Sequence, residues 1–117
     1  MIRTALAFAL AVTPTLATAQ AAAPQLGVEH RMLVRCSAAF ALVAYRQDNG
    51  NAEAMRYPAM AERGREFFVR ASAQVMDEAG LDRDQIQAAL SAEAQDMVDN
   101  GTLDQVVPVC LNLLPEE

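Results

Sequence analysis

Two cysteines, Cys36 and Cys110, stand behind an N-terminal stretch with the form of an export signal. Export delivers thiols to an oxidising compartment, where a cysteine pair in a small chain reads as a structural disulfide. A bridge between these positions would tie the beginning of the helical part of the chain to its end. In the chain-entropy description, closing so long a loop stabilises the fold by about 4.5 kcal/mol. Domains of this size are stable by only about 5–15 kcal/mol, so one such bridge is a large share of the whole. The competing reading is two buried free thiols that pack as small apolar groups. A catalytic thiol fits poorly, because there is no Cys-x-x-Cys and no histidine close to either cysteine in sequence.

The export signal rests on three features. Arg3 supplies a positive start, Ala5 to Val12 form an unbroken apolar run, and Ala17-Thr18-Ala19 offers small residues to a signal peptidase. A membrane span needs about 18 or more apolar residues, so the run is too short to remain as an anchor. The expected organisation is a signal peptide over residues 1–19, a disordered mature N-terminus over 20–26 and a single helical domain over 27–117. Cleavage after Ala21 or Ala23 is a neighbouring alternative. The expected location is the periplasm or the exterior, with no transmembrane segment left after cleavage.

The 117-residue chain contains no lysine, and its nine cations are all arginine. Loss of Arg3 with the signal leaves eight arginines against 15 carboxylates, a net charge of −7. Such a chain lacks the basic patch that nucleic acids and anionic membranes require.

Alanine, leucine, glutamine, glutamate and arginine are abundant and β-branched residues form no run longer than two, which favours helix throughout. The spacing predicts four helices. The first covers Val28 to Gln47 and stops at Asp48-Asn49-Gly50. It places Met32, Leu33, Cys36, Phe40 and Val43 on one face. Alanines cover much of the rest, as expected of a central, buried helix.

After a short turn near Ala52 to Met55, Pro58 fits the first turn of a second helix that runs to Ala79. Its inner face holds Met60, Gly64, Phe67, Phe68, Ala71 and Val75, and Glu66 and Arg70 are spaced to pair outside. Gly80 caps it in the left-handed conformation. Asp82 and Gln85 form a capping box for the third helix, with Ile86, Leu90, Ala94 and Met97 inside. Thr102 and Gln105 repeat the pattern for a fourth, whose Leu103, Val106, Val107, Cys110, Leu113 and Leu114 share a face. Pro108 is expected to kink or break that last helix.

Chemistry finds few footholds. His30 is the only histidine and reads as exposed and incidental, and no serine lies in a nucleophile motif. The expectation is therefore no enzyme activity and no cofactor. His30, Met32, Met55 and Met60 are ligand types that suit copper, but Met32 and Met60 are placed in the core, where methionine fills gaps. No metal site is expected, and copper binding is a minor alternative. Val69 and Met76, seven residues apart, lie off the inner stripe of the second helix. They either pack against the Met55–Pro58 segment or form an exposed apolar interaction patch.

The fold class expected is all-α, a small bundle of about four helices stapled by one disulfide between the first helix and the last. In outline (short, exported, helical, with the single pair Cys36 and Cys110) the chain is similar to small periplasmic acid-stress chaperones. It lacks their lysine-rich character and separates its cysteines further. That likeness implies acid-activated chaperoning as the alternative function. The leading expectation is a non-enzymatic protein that binds a protein partner or a small apolar ligand.

Overall fold

The computed structural model describes Ala11 and residues 25–115. In it the helix Val28–Asp48 (α1) carries five consecutive buried residues, Cys36 to Phe40. A helix turns about 100° per residue, so five in a row face every direction. α1 is therefore enclosed over these five residues, while Ala41 just beyond them is exposed. A 3-10 turn (Ala54–Arg56) leads to α2 (Arg63–Ala79), α3 (Arg83–Asn100) and α4 (Leu103–Leu111). No strand is present among the described residues. α2, α3 and α4 each pack on α1, while α2 and α3 meet over a much smaller surface.

The main core gathers Phe40, Val43, Met60, Phe67, Met97 and Val107 around the Cys36–Cys110 disulfide. That bridge joins α1 to α4 across a sequence separation of 74, with the two Cα atoms 5.3 Å apart. Phe40 and Phe67 meet edge to face, their ring centres 5.2 Å apart. This arrangement suits the positive edge and negative face of the two rings. A second, smaller cluster holds Val34, Val75, Ile86 and Ala89, with Leu26 and Met76 packed against it.

Helix ends follow the local chemistry in most places. Gly50, Gly80 and Gly101 all take positive φ, a conformation that glycine adopts without a Cβ penalty. Asp82 accepts the Gln85 N–H at 2.8 Å and Gln85 accepts the Asp82 N–H at 2.9 Å, a reciprocal capping box.

Several expectations are corrected. α2 begins at Arg63, well after Pro58. Tyr57 is extended, as a residue before proline prefers. The backbone groups that a helix starting at Pro58 would use are bound instead by the side chain of Gln47. Thr102 does not cap α4 through its side chain. Its N–H closes the end of α3 on the Met97 carbonyl at 3.0 Å. This double duty leaves it outside the extended conformation that a side-chain cap needs, and its hydroxyl is buried without a partner among the described residues.

Pro108 does not break α4, which runs on to Leu111. Its missing donor would have served Asp104, an exposed residue whose carbonyl has access to water. Beyond Leu111 the bonds tighten to i−3, from Leu113 to Cys110 and from Leu114 to Leu111. The tighter winding turns Leu114 inward and leaves Leu113 43% exposed, off the face predicted for it. Met32 is likewise 40% exposed and not a core residue. Glu66 and Arg70 are both exposed and form no ion pair among the described residues.

The signal peptide expected over residues 1–19 lies, save for Ala11, outside the described residues, as does most of the 20–26 segment. Leu26 is half-buried against the second cluster, so packed residues begin ahead of the boundary expected at 27.

Candidate binding cleft

Because α2 and α3 both lean on α1 yet meet each other only narrowly, a strip of α1 stays uncovered between them. Ala38, Ala41 and Ala44 form its floor, and their small side chains leave room above it. On one side, a cleft of about 430 Å³ is walled by Met60, Ala61, Gly64, Phe68 and Val69. On the other, one of about 290 Å³ is walled by Leu42, Phe68, Leu90 and Ala94, with Gln87 and Ser91 at its rim. The two share Ala41 and the half-buried Phe68, so they lie side by side over α1 as two lobes of an apolar trough. Volumes of this order are those of ligand clefts, roughly 300–1,000 Å³.

Local structure sets this shape. Gly64 lets α2 approach α1 so closely that a Cβ there would stand 3.2 Å from the Cβ atoms of both Phe40 and Met60. Met60, ahead of α2, is fully buried beneath the cleft and held in place by its N–H bond to Gln47 Oε1 at 3.0 Å. The single charged side chain in the lining of either lobe is Arg65, at the Met60 end. It is exposed and makes no ion pair among the described residues.

A second cleft of about 430 Å³ lies between α1 and α3, bordered by Leu26, Arg31, Val34, Ala89, Glu93 and Asp96. Its charges are already matched. Glu93 accepts from Arg31 Nε at 3.1 Å and from Arg35 Nη1 at 2.7 Å, and Arg35 also reaches Asp96 at 3.2 Å. Burial works against the Arg35 charge, but hydrogen bonds and attraction from Glu93 and Asp96 outweigh it and raise the guanidinium above its ordinary value. This cluster clamps α1 to α3 and leaves a ligand little to bind.

The residues singled out in the sequence are scattered. His30 is only half-exposed, its Nε2 3.6 Å from Glu78 Oε1, which differs from the open position expected. Met32 Sδ rests 3.8 Å from the bridged sulfur of Cys36, Met55 is 62% exposed in the loop, and Met60 is fully buried. Among the described residues no three His, Cys, Asp or Glu side chains gather to hold a metal.

Val69 is 59% exposed and edges the apolar cleft, whereas Met76 is half-buried against the second, smaller cluster. The pair therefore does not act as one patch. Val69 belongs to a cleft whose principal members, Ala41, Phe68 and Leu90, sequence periodicity had assigned to buried faces or passed over. The available sequence signal was the alanine run of α1 beside the glycine of α2, which permits close approach but does not say where a neighbour is missing.

No described helix is long and apolar enough to cross a membrane. Compared with family models, curated proteins and solved structures, the chain matches none of them.

Proposed function

We propose that this chain is an exported, non-enzymatic binding protein, working in the periplasm or outside the cell, whose trough over Ala41 takes an apolar group. The observation that carries the reading is the trough itself, a largely apolar lining drawn from three helices with one charge at its end. Concave apolar surface with few polar anchors is the usual form of a ligand site. The lining contains no histidine, cysteine or carboxylate, so Ser91, its one hydroxyl, has no base beside it in the lining. The disulfide is compatible with an oxidising, exported setting.

Nile red, a neutral apolar dye, tests the site. Its emission is expected to rise with the native protein and to stay low with Ala41→Glu, which places a charge on the exposed floor of the trough. Equal emission with both proteins rejects the trough as the site. The intact mass of exported material tests location: a start at or near Gln20 supports it, and retention of Met1 to Ala19 rejects it.

A further inference from the structure

We infer that the occupant of the trough is a free single-chain carboxylate, an anionic amphiphile with its head at Arg65 and its tail running past Phe68 toward Leu42 and Leu90. This inference rests on the reading of the trough as a binding site and specifies what enters it.

The argument is one of charge and placement. The trough has two unlike ends. At the Met60 end stands Arg65, the one charged group in the lining, exposed and unpaired among the described residues. At the α3 end the rim groups are Gln87 and Ser91, neutral and without a formal charge to attract a head group. Between them the floor and walls are carbon: Ala38, Ala41, Leu42, Phe68, Leu90 and Ala94. A molecule that satisfies both parts carries one anion at one end and a slender apolar body behind it. Guanidinium matches carboxylate geometry with two parallel hydrogen bonds, so arginine suits such a head group better than a point charge would.

Glu62 and Glu66 share with Arg65, Val69 and Arg70 a shallow depression beside α2. They do not line the trough, and their position favours a single carboxylate over a multiply charged head. Their charge also bears on the source of the ligand. A protein this acidic is repelled by anionic bilayers, whose surfaces attract polybasic segments. The trough is therefore assigned to a dissolved chain and not to a lipid in a membrane surface. The α1 floor from Ala38 to Ala44 runs about 9 Å along the helix axis at the helical rise, with Phe68 shared by both lobes.

Titration calorimetry with dodecanoate, dodecanol and dodecyltrimethylammonium below their aggregation limits tests the assignment, with vesicles of anionic phospholipid as a further arm. Dodecanoate is expected to bind at least about fivefold more tightly than the neutral and cationic chains, in line with a charge-assisted contact at an exposed site. Arg65→Gln is expected to remove that preference, bringing dodecanoate to the level of dodecanol. Arg65 is exposed, so the variant keeps the fold, which circular dichroism verifies. Equal binding of all three chains, or a preference untouched by Arg65→Gln, overturns the carboxylate assignment and leaves the trough standing as an apolar site. Association with the vesicles in place of free dodecanoate also overturns it. If Nile red and all three chains fail to bind, both the assignment and the proposed function fall.

Discussion

The side-chain amide of Gln47 accepts the backbone N–H of Met60 at 3.0 Å while its own nitrogen donates to the carbonyls of Ala54 at 2.9 Å, Pro58 at 3.0 Å and Tyr57 at 3.3 Å. With two N–H groups and one oxygen, this side chain near the end of α1 reaches four backbone groups in the loop that follows, one N–H being shared between two carbonyls. That loop has only the 3-10 turn as regular structure of its own, and the bonds to Gln47 position Met60 under the trough.

Gln47→Ala is expected to destabilise the protein by about 2–3 kcal/mol, because part-buried backbone groups lose their partner. Urea unfolding measures the loss. Amide exchange at Met60 should accelerate more than exchange in α3, and equal acceleration would mean the loop is held by something else.

Removing the disulfide with Cys36→Ser and Cys110→Ser together should cost about 2–5 kcal/mol, as it does in other small disulfide-bonded domains. Thiol titration of the unfolded, unreduced native chain should find no free thiol. Two free thiols would refute the bridge.

Gly64→Val is expected to cost about 1–3 kcal/mol through overpacking against Phe40 and Met60. Gly64→Ala sits near balance, since the gain of about 1 kcal/mol in helix propensity offsets a milder crowding. A valine variant as stable as the native protein in thermal melts would show that α2 can move away from α1. Widening of the trough should then appear as altered dye binding.

Tyr57 links the same loop to α4, its hydroxyl donating to Asp104 Oδ1 at 3.0 Å. Burial raises the pKa of that hydroxyl above its ordinary value, and the hydrogen bond and charge of Asp104 raise it further. With the folded value above the unfolded one, the contribution is complete below about pH 10 and is lost as pH climbs through the folded value. Tyr57→Phe should therefore cost about 0.5–1 kcal/mol near neutrality. The gap to the native protein should shrink in urea titrations above about pH 10. A gap that widens there reverses the sign and removes the proposed linkage.

Local rules accounted for the elements whose ends are made locally. Gly80 and Gly101 stop their helices and Asp82 with Gln85 starts one, all through bonds within a few residues. The failures are long-range or shared. The start of α2 depends on Gln47, at least ten residues before the Tyr57 and Pro58 carbonyls it binds, and no propensity at Pro58 encodes that. Thr102 had the composition of a cap, but its backbone was already committed to closing α3. The disulfide was legible because each cysteine centres an apolar stripe, and stripes seek a common core. The trough was not, since it exists where two helices diverge, and divergence is a property of no single helix. Val69 was the one member read beforehand as a candidate for exposure, as an apolar residue out of register.

The separation of 74 residues between the bridged cysteines also fixes an order of events. A chain delivered from its N-terminus presents Cys36 long before its partner emerges, while α2 and α3 arrive in between. Closure of the bridge therefore comes after the residues of α2 and α3 have emerged, and it joins the first helix to the last. The last helix acts as a latch, and the bridge is the step that sets it.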